Sequence, residues 1–206
     1  MKKKSFIIVF LCICFSFLTA EDYKTVMDLW DDVKVPQAPE LKAVSVNPET
    51  TALLILDLQS RNCNAERRPR CVACLPGVAD FLKQARQKNM AVVYAGSREN
   101  ILPAVAPMKD EPVVRSSVDK FYNTELENIL RDRNIETVIV IGTTAEGAVL
   151  HTATGASLRG FKVIVPVDGM PASDLYAEQY TAWHLVNAPG TRRNTTLTTI
   201  PMIRIE

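Results

Sequence analysis

The sequence predicts a doubly wound α/β domain with a mostly parallel open sheet and helices on both of its faces. Two observations lead to this prediction. Short apolar runs rich in Val, Ile and Leu alternate with stretches of helical periodicity, as expected for strands joined by crossover helices. Polar residues and glycines follow several of these runs, at the edge where open parallel sheets bind their ligands.

Five segments have the apolar, β-branched composition of buried strands. In chain order these predicted strands are residues 52–57, 91–95, 137–142, 162–166 and 197–200.

Four segments have the apolar periodicity of helices. The predicted helices are residues 76–88, 123–133, 145–159 and 173–186. Pro76 suits the first turn of the first helix, where a missing N–H costs nothing. Gly160 suits a left-handed cap after the third helix, and Ser173 suits the N-cap of the fourth.

The N-terminus predicts export. Lys2, Lys3 and Lys4 precede an apolar stretch at residues 5–17 that is shorter than the roughly 20 residues of a membrane span. We therefore expect a signal peptide at 1–20, a periplasmic or secreted protein without a stable membrane span after its removal, an N-terminal arm at 21–48 and an α/β domain at 49–206. Loss of the three lysines lowers the 24 basic residues to 21, against 23 acidic ones. This near balance of charge lacks the excess of basic residues that is typical of nucleic-acid-binding proteins. We therefore expect a small-molecule substrate or ligand, or a protein partner.

Cys63, Cys71 and Cys74 lie close together in the predicted mature chain. In an exported protein, such spacing predicts a disulfide of Cys63 with Cys71 or with Cys74, and one thiol left over. A redox pair of Cys71 and Cys74, or a zinc site, is an alternative, but no second cysteine pair and no nearby histidine supports it. His151 and His184 form no metal-ligand pattern either, and we expect no metal and no cofactor.

Asp57 is the first candidate for chemistry. It closes the apolar run 53–56 and would present a carboxylate at a strand end beside an apolar wall. Partial removal of a carboxylate from water suits it to proton transfer. The alternative is that Asp57 only caps the loop that follows, as aspartates at strand ends often do.

Several segments, in this order and spacing, resemble the isochorismatase-like cysteine hydrolase superfamily, which includes nicotinamidases, other amide hydrolases and the true isochorismatases. The segments are 52–59 (ALLILDLQ), 120–126 (KFYNTEL), 137–143 (TVIVIGT), 149–153 (VLHTA) and 159–173 (RGFKVIVPVDGMPAS). The resemblance implies a Rossmann-like three-layer sandwich, a hydrolase activity and a homo-oligomer.

In that family an aspartate, a lysine and a cysteine form the catalytic set, and Asp57 matches the aspartate. The lysine matches Lys120 by residue type and context, whereas the family's usual spacing favours Arg115. Ala148 stands where the family has its cysteine, and a methyl group cannot form a thioester. The substrate-binding residues that the resemblance and the strand ends imply are Gln59, Arg115, Gly142, Thr143, Thr144 and Gly147.

Two functions remain open for a chain without this cysteine. True isochorismatases resemble it in having a small residue at position 148 and an alanine at position 145, which implies a thiol-independent hydrolase with Asp57 as acid or base in a dry pocket. The alternative is a catalytically silent homologue with a small-ligand-binding, oligomeric or structural role. The spacing of Tyr176, Tyr180 and Trp183 is typical of a buried or subunit-facing helical stripe.

Overall fold

The computed structural model describes residues 23–97 and 99–206, so the predicted signal peptide lies outside the described residues. The chain divides into two compact units, Met1–Pro36 and Gln37–Glu206. The described part of the first unit contains a short 3-10 turn at Trp30–Asp32. Within the described ranges, no helix has the length and apolar character that crossing a bilayer requires.

The second unit contains strands and helices in alternation. The strands are β1 (Val44–Val46), β2 (Thr51–Leu56), β3 (Ala91–Ala95), β4 (Val113–Val114), β5 (Thr137–Gly142), β6 (Lys162–Pro166), β7 (Thr195–Thr198) and β8 (Ile203–Ile205). The α-helices are α1 (Pro69–Gln87), α2 (Leu126–Asp132), α3 (Leu150–Leu158) and α4 (Leu175–Asn187).

The main sheet has six parallel strands in the order β4-β3-β2-β5-β6-β7, and β1 pairs separately with β8. The central strand β2 is buried along its whole length and pairs with β3 on one side and β5 on the other. Strand order reverses between β2 and β5, which makes the carboxyl ends of these two strands the expected ligand site of the fold.

Helices cover both faces of the sheet because successive side chains of a strand point to opposite faces. On one face, Leu53 and Ile55 of β2 share a core cluster with Phe81 of α1. On the other, Leu54 and Leu56 share a cluster with residues of α2, α3 and α4. The predicted fold class, a doubly wound α/β domain, is confirmed.

The predicted strand bounds differ from the structure where the apolar signal is short. The predictions 91–95, 137–142 and 162–166 are confirmed, and 52–57 lies one residue late. The prediction 197–200 is wrong by two residues, since β7 spans Thr195–Thr198. The strands β1, β4 and β8 have two or three residues each and were not predicted.

Three predicted helix starts were wrong, and one of them is that of α2, which begins at Leu126 instead of 123. The predicted start at 145 is that of a π-helical turn, Ala145–Val149, which precedes α3. Helix α1 begins at Pro69 and Pro76 lies inside it, because both prolines satisfy the first-turn rule and the helix uses the earlier one. Helix α4 is capped by Asp174, whose side chain accepts the Tyr176 N–H at 2.7 Å, and not by Ser173.

Candidate active site

The candidate active site is organised around an ion pair at the carboxyl end of β2. Lys120 Nζ donates to Asp57 Oδ2 at 2.6 Å. The Lys120 side chain is 1% exposed, whereas that of Asp57 is 20% exposed. The carboxylate therefore reaches the solvent side of the pair, and the ammonium forms its buried side.

The backbone holds Asp57 in an unusual conformation. Its φ is 50°, in the left-handed region that residues other than glycine rarely adopt, although aspartate tolerates it better than most. The Asp57 N–H donates to the Ala95 carbonyl at 3.3 Å, beyond the last residue of β2. A Cβ on Gly96 would collide with the Asp57 carboxylate, so glycine is required there.

Hydrogen bonds hold both the side chain and the backbone of Lys120. Its ammonium also donates to the Ser117 carbonyl at 2.6 Å, and its own carbonyl accepts the Thr124 hydroxyl at 2.6 Å. These contacts hold the lysine in place before any ligand binds. Of the two candidate partners, Lys120 is the residue that contacts Asp57, while Arg115 is an exposed residue of the same cleft.

The turn after β5 forms the opposite wall. Gly142, with a φ of 148°, passes so close to the Leu56 backbone that a Cβ would not fit. The Thr143–Thr144 peptide is cis, and a wide π-helical turn at Ala145–Val149 then leads into α3. Ala148 is 4% exposed on this turn and presents only a methyl group where a thiol would enter the cleft.

These elements enclose an open cleft of about 770 Å³. Its described lining residues are Asp57, Arg61, Asn62, Arg68, Gly96, Ser97, Glu99, Val113, Arg115, Ser116, Ser117, Val118, Lys120, Thr143, Thr144, Gly147 and Ala148. Most of these residues are polar, so the expectation of a dry pocket was wrong. No tyrosine or tryptophan lies among the described lining residues, and the cleft retains room for a small molecule.

Most of the predicted site residues meet in this cleft. It is lined by Asp57, Lys120, Arg115, Thr143, Thr144, Gly147 and Ala148. Gln59 and Gly142 are not among its lining residues, which does not support the prediction that they contact substrate. Gln59 is 1% exposed and its amide donates to the Ser97 carbonyl, and Gly142 is packed against β2.

Sequence reasoning missed two arginines of the cleft, Arg61 and Arg68. Both belong to an arginine-rich stretch that also contains Arg67 and Arg70. The density of positive charge was the available signal, whereas the cysteines of this stretch indicate only a disulfide-closed loop.

The cysteines at 63, 71 and 74 do not supply a nucleophile to the cleft in place of a thiol at position 148. Cys63 and Cys71 form a disulfide, one of the two pairings left open by the sequence. Cys74 is the free thiol; it is half-buried, and this burial raises its pKa to about 11. No free thiol lies among the described lining residues, and the described chain contains no group of three or more His, Cys, Asp or Glu side chains that could hold a metal ion.

Comparison with known proteins adds a family assignment. A family model described as "Isochorismatase domain" matches residues 51–199. The chain is 30% identical over 151 residues to the streptothricin hydrolase of Streptomyces noursei, a match that covers 66% of this chain and 59% of that protein. It is 40% identical over 63 residues to the N-carbamoylsarcosine amidase of an Arthrobacter species, covering 30% of this chain and 24% of that protein. The matches thus span less than two thirds of these curated relatives.

A solved structure shows the same architecture. The cysteine hydrolase from Pseudomonas syringae pv. phaseolicola superimposes with a TM-score of 0.68 at 21% identity, over 80% of this chain and 95% of that one. At this level of identity the likeness establishes the fold alone.

Proposed function

We propose, from the premise that this chain belongs to the isochorismatase domain family, that it is a hydrolase of a small molecule which works without a thiol nucleophile. The observation that carries this proposal is the Asp57–Lys120 ion pair, which lines an open cleft at the point where strand order reverses. Asp57 is the catalytic acid and base, and Lys120 is its positioning residue.

The geometry suits Asp57 to accept a proton first. Asp57 accepts a hydrogen bond from the Lys120 ammonium through Oδ2, and its 20% exposure leaves room for a water beside the carboxylate. With an amide, Asp57 removes a proton from that water and the water oxygen bonds to the carbonyl carbon; the C–N bond then breaks as Asp57 passes the proton to the departing amine. With a vinyl ether, a protonated Asp57 would deliver its proton to the terminal alkene carbon and water would add to the resulting cation, returning a proton to Asp57. The C–O bond of the hemiketal then breaks to release an alcohol and a carbonyl compound.

Lys120 holds the carboxylate and balances its charge. An ammonium has three N–H donors, and two of those of Lys120 are used by Asp57 and the Ser117 carbonyl. With a side chain 1% exposed, this lysine is better placed to fix Asp57 than to bind a substrate anion.

The test is the turnover of a panel of small amides and vinyl ethers by the wild type and by Asp57→Asn. Asparagine tolerates the left-handed backbone of position 57, so the substitution removes the carboxylate and keeps the backbone conformation there. Asp168→Asn is the matched control, because Asp168 is an exposed aspartate outside the cleft. We expect loss of turnover in Asp57→Asn only; activity that survives in Asp57→Asn removes this residue from its role.

A catalytically silent homologue that binds a small ligand is the second candidate. The observation in its favour is the methyl group of Ala148, since the described cleft holds no free thiol. Wild-type protein that turns over no member of the panel, yet binds a small ligand in the cleft, would favour this candidate.

Export is part of the proposal. It is supported by the basic and apolar N-terminal segment and by the Cys63–Cys71 disulfide, since structural disulfides persist in oxidising compartments. N-terminal sequencing of the protein recovered from its native host tests it. We expect a mature N-terminus near position 21, and a chain that retains Lys2 to Lys4 contradicts it.

We also propose a homo-oligomer that uses the outer face of α4. Tyr176, Tyr180 and Trp183 are 64%, 39% and 37% exposed in the single chain, and exposed aromatic side chains are typical of interfaces. Sedimentation of the wild type and of Trp183→Ser tests this: a larger species that the substitution dissociates is expected, and a wild-type monomer contradicts it.

A further inference from the structure

We infer that the cleft takes a small organic substrate with an oxyanion group, a carboxylate or a phosphate, and that Arg61, Arg68 and Arg115 bind this group. The inference rests on the proposed function, because it names the substrate class of the same cleft. None of these arginines belongs to the Asp57–Lys120 pair.

The charges of the cleft are unbalanced. Asp57 and Lys120 neutralise each other at 2.6 Å. The remaining charged side chains of the described lining are Arg61, Arg68 and Arg115 against Glu99. Three guanidinium groups that face one cavity repel each other, and a bound anion offsets that repulsion.

Some arginines of the domain pair with carboxylates, whereas within the described residues those of the cleft do not. Arg70 pairs with Glu178 and Arg86 with Glu111. In the described part of the chain, by contrast, the side chains of Arg61 and Arg115 form no hydrogen bond and no ion pair with another residue. Their donors remain available to a ligand.

Of the three arginines, Arg68 has the guanidinium group whose orientation is fixed before a ligand binds. Its Nη1 donates to the Asn62 carbonyl at 2.6 Å, which fixes the orientation of the guanidinium plane. Its Nε is buried and has no hydrogen-bond partner among the described residues. Buried polar atoms in native structures usually have a hydrogen-bond partner, so an unpartnered Nε indicates a missing ligand. The edge of the guanidinium formed by Nε and Nη2 has the geometry that binds two oxygens of a carboxylate or phosphate.

Two hydroxyl groups of the same cleft also lack partners. Ser116 Oγ and Thr143 Oγ1 are buried without a hydrogen bond, and Thr143 is 2% exposed. Together with Arg68 Nε, they are three of the six such atoms in the described chain, and all three belong to lining residues of one cleft. This concentration is expected of a site whose polar groups are completed by a ligand.

The disulfide restricts the loop that carries Arg68. Cys63 and Cys71 close a loop that contains Arg68 and begins two residues after Arg61. A loop fixed before binding loses less conformational entropy when the anion arrives. The arginine-rich stretch is therefore an anion-binding loop as well as a loop closed by a disulfide.

The experiment is isothermal titration calorimetry of the full-length mature protein with benzoate, phenyl phosphate and benzamide. The three probes share one ring and differ in charge. We expect both anions to bind and benzamide to bind at least about tenfold more weakly. The stronger of the two anions identifies which oxyanion the substrate carries. We expect Arg68→Gln to weaken anion binding about tenfold, and Arg61→Gln and Arg115→Gln about threefold each, since these two arginines are exposed.

The matched control is Arg67→Gln, which removes the same charge from the same loop at a residue outside the described cleft lining. It should leave the affinity for benzoate unchanged. Equal binding of benzoate and benzamide, or equal weakening by Arg67→Gln and Arg68→Gln, overturns the inference. The same titrations are repeated with Asp57→Asn. Because they measure binding and not turnover, they test the anion site independently of the proposed hydrolysis.

Discussion

Lys120 and Asp57 form an ion pair whose two members are unequally buried. Their Nζ and Oδ2 atoms are 2.6 Å apart, but the lysine side chain is 1% exposed and the aspartate side chain is 20% exposed. The two groups therefore differ in what happens when the partner is removed. A carboxylate without its lysine still reaches water, whereas an ammonium without its carboxylate remains buried.

This asymmetry predicts unequal losses of stability. Asp57→Asn should lower the free energy of unfolding by roughly 2–4 kcal/mol, because it leaves the ammonium without its counter-charge. Lys120→Met should cost about 1 kcal/mol or less, since methionine fills similar volume and Asp57 can hydrate. Urea unfolding followed by circular dichroism measures both.

The double variant Asp57→Asn, Lys120→Met is the control for this stability prediction. It should recover most of the loss seen in Asp57→Asn, because no buried charge remains. Equal losses in the two single variants would show that the burial difference has no energetic consequence.

Much of the fold could be predicted from the sequence because its central strands are long apolar runs. The strands β3, β5 and β6 have five or six residues, which is enough for a composition signal. The strand β4 consists of Val113 and Val114 alone and is defined by its pairing with β3. A two-residue strand has no period to detect, so only the tertiary structure reveals it.

Introducing a thiol at position 148 should restore part of the chemistry that is typical of the family. Ala148 lines the cleft together with Asp57 and Lys120, so the Sγ of Ala148→Cys would enter it. We expect a small gain in amide hydrolysis that iodoacetamide abolishes. Ala148→Ser controls for volume and polarity and should show no gain.

Absence of any gain in Ala148→Cys would contradict the prediction that Asp57 and Lys120 can support an introduced thiol. A gain that persists after iodoacetamide would show that the new activity does not come from the introduced thiol. Rates are measured on the same amides for all variants.

The candidate site was only partly predictable, for a different reason. Asp57 is identified by the strand that precedes it, since strand ends are visible in the sequence, and Ala148 by the resemblance of its segment to the family pattern. Arg61 and Arg68 reach the cleft through a loop whose path depends on the Cys63–Cys71 disulfide and on an earlier start of α1. The sequence left the pairing open and predicted the helix start at Pro76 instead of Pro69, so it could not place these arginines.

Removal of the disulfide should loosen this loop. The two cysteines are 8 residues apart, and closure of so short a loop contributes about 2–3 kcal/mol through the entropy of the unfolded chain. Cys63→Ser, Cys71→Ser should lose about that much stability, measured by thermal unfolding. Cys74→Ser is the control and should change stability little. Equal melting temperatures for the two variants would contradict a structural role for the bridge.

The free thiol should react only at high pH in the folded protein. Burial raises the pKa of the Cys74 thiol to about 11, from an ordinary value near 9. The folded state therefore holds the thiol proton more tightly than the unfolded state. This contribution to stability is fully present below pH 9 and is lost as the pH rises through 11.

Alkylation rates test the state of Cys74. At pH 8 the iodoacetamide reaction of the folded protein should be roughly a hundredfold slower than in urea, where the thiol titrates normally. Its rate should rise toward pH 11. A folded-state rate equal to that in urea would show that the thiol is exposed.

The most direct measurement compares the Asp57 carboxylate of the cleft with the Cys74 thiol, which lies outside the described cleft lining. Turnover of the amide and vinyl ether panel is measured for Asp57→Asn and Cys74→Ser beside the wild type. We expect wild-type rates in Cys74→Ser and loss of turnover in Asp57→Asn. Loss of turnover in Cys74→Ser, with activity retained in Asp57→Asn, would contradict it.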